Sequence, residues 1–216
     1  MKKPEQETSA AMPQTAFVLR IALRRLKPTV WREVLVSPSS TLRELHAVIH
    51  AAMGWDDDHL YAFARPEGNK SFYQLDKTRL YEPPLDNDPW DIPGNNDAYT
   101  SVGELLQTPK DRLIYMYDFG DSWEHLITLK EQVLVDTPLP TLLDAQRACP
   151  LEDCGGTRGW TELCDALAHP ERPESAKLAA LYRGFNPHAF ERELRQKAVA
   201  RLQTSMPLIN AELAEA

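Results

Sequence analysis

The sequence predicts an α+β fold in a single domain, mainly antiparallel sheet, with an N-terminal β-β-α unit and a C-terminal helical section. Three observations carry this. Apolar residues alternate with polar ones from Phe17 onward and again between Leu113 and Leu129, the period of a half-buried strand. Thr41 and Glu44 form a capping-box pair ahead of a stripe at Leu42, Leu45, Ile49, Ala52 and Met53, the spacing of a helix. Beyond residue 160 the patterns are helical only.

The elements follow in chain order. Residues 1–15 are polar and aperiodic, with Pro4 and Pro13, and are expected to be a flexible arm. Phe17, Leu19, Ile21 and Leu23 form the apolar side of a first strand, with Arg20, Ala22 and Arg24 opposite. A turn at Lys27-Pro28-Thr29 leads into the β-branched stretch 30–36, so the two segments read as a hairpin. The capping box starts a helix over 42–53, and Gly54 stands where a left-handed cap ends it. Residues 60–65 and 71–75 read as short strands. The proline-rich stretch 82–100 is expected to run over the surface as an insertion. Its Asp86, Asp88, Asp91 and Asp97 lack calcium-loop spacing. A short helix at 101–106 precedes strands at 112–117 and 123–135, joined by the turn Asp118-Phe119-Gly120-Asp121-Ser122. Residues 149–156 read as a structured loop, and helices are expected at 160–168, 175–182 and 187 to about 202. The domain thus spans 16–203, with 204–216 as a tail.

Composition narrows the function classes. The chain has 216 residues, 43% of them apolar, and a formal net charge of −8. That length buries roughly 70% of the unfolded surface around one core, so neither disulfides nor a structural metal is required for folding. No apolar run approaches the roughly 20 residues of a membrane span, and the N-terminus has no apolar signal region. Three cysteines without an export signal imply reduced thiols and a cytoplasmic protein. Residues 44–100 carry a net −7, which disfavours nucleic acid as a partner, since phosphate contacts need Lys and Arg. Only the N-terminal segment is basic, through Arg20, Arg24, Arg25, Lys27 and Arg32.

Three motifs stand out. The first is Pro28, Val30, Trp31 and Arg32 followed by Leu45, His46 and Ile49, then Gly54, Trp55, His59 and Leu60. The second is the continuous run from Tyr117 to Trp123 with His125. The third is Cys149-Pro150-Leu151-Glu152-Asp153-Cys154-Gly155-Gly156. Together they resemble the plasmid pRiA4b ORF-3-like family, over about Phe17 to Phe190. The resemblance implies a plasmid or mobile-element context and brings no activity with it. Leu151 departs from the family pattern, which commonly has proline there. Some relatives carry a resolvase label, but the chain lacks a serine-resolvase motif. His169-Pro170-Glu171-Arg172 with Tyr182 also does not make a tyrosine-recombinase arrangement, so recombinase activity is not expected.

The residue types in these motifs leave several chemistries open. Asp118, Asp121 and His125 suit either a divalent ion or a general base oriented by an acid, and equally suit turn capping and core packing. Cys149 and Cys154 are close enough in sequence for one zinc ion, with His125 or His59 as further ligands; the alternative is a pair of small buried hydrophobes. His46 and His50, four apart, could share a metal or simply pack along the helix. Loops rich in specified polar and aromatic residues are where function concentrates. The leading expectation is therefore a non-catalytic module that binds a small molecule or a protein or peptide partner. Its surface would comprise Trp55, His59, Tyr117, Asp118, Asp121, Trp123, His125, Glu152 and Asp153. A metal-dependent hydrolase or nuclease using the Asp/His hairpin, and a nucleic-acid binder using the basic strand pair, are the alternatives.

Overall fold

A computed structural model describes residues 13–84 and 95–214. Seven strands form one antiparallel sheet: β1 (Gln14–Leu23), β2 (Trp31–Val36), β3 (Tyr61–Ala64), β4 (Leu80–Tyr81), β5 (Arg112–Tyr117), β6 (Trp123–Val135) and β7 (Thr141–Gln146), in the spatial order β4-β3-β5-β6-β1-β2-β7. Among the described residues five helices accompany them: α1 (Leu42–Met53), α2 (Val102–Leu105), α3 (Gly156–Ala168), α4 (Pro173–Leu181) and α5 (Arg192–Ala214). The mixed α+β architecture and its opening β-β-α unit are as the sequence predicts. No helix among the described residues is long and apolar enough to cross a membrane.

The main core lies on one face of the sheet. Phe17, Leu19, Ile21 and Leu23 of β1 and Trp123, Ile127 and Leu129 of β6 point into it, covered by Leu42, Leu45 and Ile49 of α1, Trp160 and Leu163 of α3, and Val199 of α5. The opposite face holds two small clusters, one of them under a 3-10 turn at Phe72–Gln74 that inserts Phe72 beside Ile114 and Met116.

Helix α1 forms as the local sequence dictates. The Thr41 side chain accepts from the Glu44 amide, the Glu44 carboxylate accepts from the Thr41 amide, and Gly54 closes the helix at φ +98°. Other local expectations are corrected. Residues 71–75 are not a strand: the 3-10 turn occupies them, and β3 pairs instead with the two residues of β4. Strand β7, unexpected from sequence, extends the sheet beyond β2. Helix α3 begins at Gly156 rather than residue 160, and α5 at Arg192 rather than 187, because Asn186 turns the chain by accepting from the His188 amide at 2.9 Å. In the 82–100 stretch, Asp86, Asp88 and Asp91 lie outside the described residues. Asp97 is not at the surface but fully buried, paired with Arg43 at 2.8 Å and with the Tyr61 hydroxyl.

Candidate functional site

Helix α1 points two imidazoles at β5. His46 and His50, each 5% exposed, stand one turn apart and flank the Tyr115 hydroxyl. Its oxygen is 2.8 Å from Nδ1 of His46 and 3.1 Å from Nε2 of His50. The opposite nitrogens face Asp57, which the loop after Gly54 brings back over the helix at φ +69°. Nε2 of His46 is 2.8 Å from Asp57 Oδ1, and Nδ1 of His50 is 3.8 Å from it. The Tyr61 ring stacks on His46 at 3.5 Å. Burial, reinforced by the neighbouring His46, pushes the His50 imidazole down to about 3, so it is neutral near pH 7. Asp57 stays below the usual carboxylate range through its hydrogen bond from His46.

The motif loops meet beside this cluster. Trp55 stacks on Tyr117 at 4.9 Å and donates from Nε1 to the Pro150 carbonyl at 2.9 Å. Glu152 accepts from the Tyr117 hydroxyl and from the Asp56 amide, tying the 149–156 loop to β5 and to the end of α1. Asp118, at φ +56°, accepts from the Gly120 and Asp121 amides, and so caps its own turn. Asp121 accepts from the Gly155 amide at 3.1 Å, joining the hairpin to the start of α3. His59 lies 3.7 Å from Asp118 and 3.4 Å from the exposed Asp153.

Several expected site residues are instead structural. Trp123 and His125 are fully buried in the core, as is the Tyr117 ring apart from its link to Glu152. They fill the sheet face because β6 alternates and that face is the covered one. His125 Nδ1 is 2.9 Å from the Trp123 carbonyl, and burial pushes its imidazole down to about 3. Asp118, Asp121 and His125 therefore do not form one centre. The expected zinc set of Cys149, Cys154, His125 and His59 is also not assembled. Among the described residues, the groups of potential ligand atoms that converge are His46, His50 and Asp57, and His59, Asp118 and Asp153. Burial pushes the Cys149 thiol up to about 12 and Cys154 up to about 11. The basic segment is largely engaged in ion pairs, with Arg25 still 60% exposed. Arg32 is 1% exposed, Arg20 pairs with Glu33 at 2.9 Å, and Arg24 and Arg25 both pair with Glu124.

Sequence reasoning missed a cleft of about 450 Å³ between the end of α1, residues 148–152 and the segment leading into α5. Trp55, Phe185 and Phe190 supply its rings, and Arg32 and Arg195 its cations. Arg32 lies at the base, donating to the carbonyls of Ala52, Trp31 and Gln146 at 2.9, 2.9 and 3.2 Å, with its guanidinium 4.5 Å over the Phe190 ring. Desolvation lowers its pKa. The Arg195 side chain crosses Gly54, where a Cβ would come within 2.6 Å of its guanidinium. The sequence signal was available in the alternation of β2, which puts Arg32 on the same side of the strand as Val34 and Val36, the buried one.

Comparison with known proteins agrees with the motif reading. The family model described as plasmid pRiA4b ORF-3-like protein matches residues 15–194. The uncharacterized protein y4hQ of Sinorhizobium fredii is 35% identical over 161 residues, covering 74% of this chain and 76% of that protein. The crystal structure of a protein of unknown function, MM3350 from Methanosarcina mazei Go1, superposes with a TM-score of 0.69 at 23% identity, over 87% of this chain and 99% of that one. At that identity the likeness is one of fold.

Proposed function

The chain belongs to the plasmid pRiA4b ORF-3-like family, and from its geometry we propose that it acts as a non-catalytic binding module whose cleft beside Trp55 receives a small anionic molecule with an apolar or aromatic part. One observation carries this reading. Two guanidinium groups, Arg32 and Arg195, line the same cleft, and among the described residues neither has a carboxylate within ion-pair distance. A cation in a partly dry cavity attracts an anion more strongly than one in open water does, and the cleft's size is that of ordinary small-molecule sites. The lining also carries the carboxylates of Asp56, Glu152 and Glu191, so the attraction is local to the two guanidinium groups and is not a property of the cleft's net charge. Glu152 spends both oxygens on internal hydrogen bonds, and Asp56 and Glu191 are exposed at the rim, where salt screens them. Trp55, Phe185 and Phe190 would hold the apolar part. The one binding domain extends a little past residues 16–203, since β1 begins at Gln14 and α5 runs to Ala214, and three free cysteines fit a cytoplasmic setting.

The test is thermal stabilisation followed by calorimetry with a panel of phosphates, dicarboxylates, aromatic carboxylates and nucleotides. At least one anion should raise the melting temperature, bind less well as salt rises, and lose about tenfold or more in affinity with Arg195→Ala. A panel without stabilisation, or binding indifferent to Arg195→Ala, overturns the reading.

A further inference from the structure

We propose that His46, His50 and Asp57 bind one divalent transition-metal ion of the zinc class, at a centre separate from the cleft. Three independent features of the geometry converge on it. The first is spacing. Around a tetrahedral ion with bonds of about 2.0–2.1 Å, ligand atoms stand about 3.3 Å apart. The two measured separations from Asp57 Oδ1, 2.8 Å to His46 Nε2 and 3.8 Å to His50 Nδ1, bracket that value, and all three atoms lie within 4.8 Å of one another.

The second is an orphan. His50 Nδ1 is sealed from solvent and has no hydrogen-bond partner, although its residue is 95% buried and this nitrogen faces the other two ligand atoms. Buried polar atoms are ordinarily paired, and one that is not calls for an occupant. An ion would supply one at the cost of the bond between His46 and Asp57 and of a reversal of that between His46 and Tyr115, whose hydroxyl would then accept from Nδ1.

The third is the support behind the rings. Metal-binding imidazoles are oriented by a hydrogen bond from the nitrogen that does not touch the ion. Here both such nitrogens, His46 Nδ1 and His50 Nε2, meet the single hydroxyl of Tyr115, at 2.8 and 3.1 Å. With each remote nitrogen carrying its proton and donating to the Tyr115 oxygen, both remaining lone pairs point at the space beside Asp57. The helix supplies the two histidines at a spacing of four, and Gly54 reverses the chain so that Asp57 can close the third corner. Asp57 is 54% exposed, which leaves an entry route and a coordination position open to water or an exogenous ligand.

Two imidazoles with one carboxylate select borderline ions such as Zn²⁺, Co²⁺ or Fe²⁺ over Mg²⁺ and Ca²⁺, which prefer all-oxygen sets. The His59, Asp118 and Asp153 group lacks the same support. Asp118 already caps its turn, Asp153 is exposed, and no atom there is orphaned among the described residues.

The experiment uses the full chain, stripped with chelator and dialysed, then titrated with Zn²⁺ by calorimetry and with Co²⁺ by visible absorbance. One Zn²⁺ per chain is expected, and Co²⁺ should give the intense d–d bands of a low-coordinate site. Asp57→Asn, a change on an exposed loop that leaves the core intact, should weaken Zn²⁺ binding at least about tenfold, and His50→Ala should abolish it. Cys154→Ser should leave it unchanged. The proposal is overturned by an absence of stoichiometric binding in the native chain. It is equally overturned by binding that survives Asp57→Asn, or that is lost instead with Asp153→Ala or Cys154→Ser.

Discussion

A Cβ built on Gly156 would stand 2.5 Å from the carbonyl oxygen of Asp121, so the first residue of α3 and the β5–β6 turn meet main chain to main chain. Gly156 also has φ +64°. Gly156→Ala therefore adds a clash with backbone to the cost of a left-handed alanine, and should destabilise the protein by about 2–4 kcal/mol. Gly68, at φ +56° with nothing within 4 Å, isolates the conformational part, and Gly68→Ala should cost only about 1 kcal/mol. Urea denaturation of both variants checks the difference. Equal losses would mean that the contact with Asp121 relaxes freely.

Acid sensitivity should trace in part to His125. Its folded pKa is pushed down to about 3, against an ordinary 6.5, so the unfolded chain takes up the proton first as pH falls. Stability from this group is complete above pH 6.5 and is lost toward pH 3, at about 1.4 kcal/mol per pH unit. In His125→Gln the amide can replace the bond to the Trp123 carbonyl but does not titrate. The gap between native and variant stabilities, measured by urea unfolding at pH 7, 6 and 5, should shrink at about that rate below pH 6.5. A gap constant with pH would remove His125 from the account.

Arg32 is a buried cation held by three carbonyls rather than by a carboxylate. Arg32→Met keeps the volume of the stem but leaves the acceptors of Ala52, Trp31 and Gln146 without their donor. A loss of about 3 kcal/mol is expected. Arg32→Lys should recover only part of it, because one ammonium cannot reproduce the planar fork. Chemical denaturation with an unchanged m-value is the measure, and a lysine variant as stable as the native chain would show that charge alone suffices.

What was legible in the sequence was what is decided locally. Thr41, Glu44 and Gly54 fix both ends of α1 through contacts within four residues. The alternation of Phe17, Leu19, Ile21 and Leu23 names a strand and its apolar side. Alternation does not say whether a polar ring on that side reaches solvent, and so the sequence leaves Trp123 and His125 as surface candidates although both belong to the core. The site had the same difficulty. The spacing of His46 and His50 is visible, but Tyr115, some seventy residues away on β5, and Asp57, beyond a left-handed glycine, join them only through packing. Strand β7 was hidden because Thr141–Gln146 includes Asp144 and Ala145, poor strand formers by composition, and is stabilised by pairing with β2 and by cover from α5, where Arg192 reaches Asp144 at 2.6 Å.

The sheet order has a consequence for synthesis. β1 is an inner strand, flanked by β2, which follows it at once, and by β6, whose register places Gln14 opposite Val135 and Leu23 opposite His125. At about 5–20 residues per second, β1 and β2 wait on the order of ten seconds for β6 to be made. During that interval the nascent hairpin presents an unpaired backbone edge along β1 beside the uncovered apolar face of Phe17, Leu19 and Ile21, and such an edge recruits foreign strands. A strand that ends inside the finished sheet is thus one that depends on protection while the ribosome is still working.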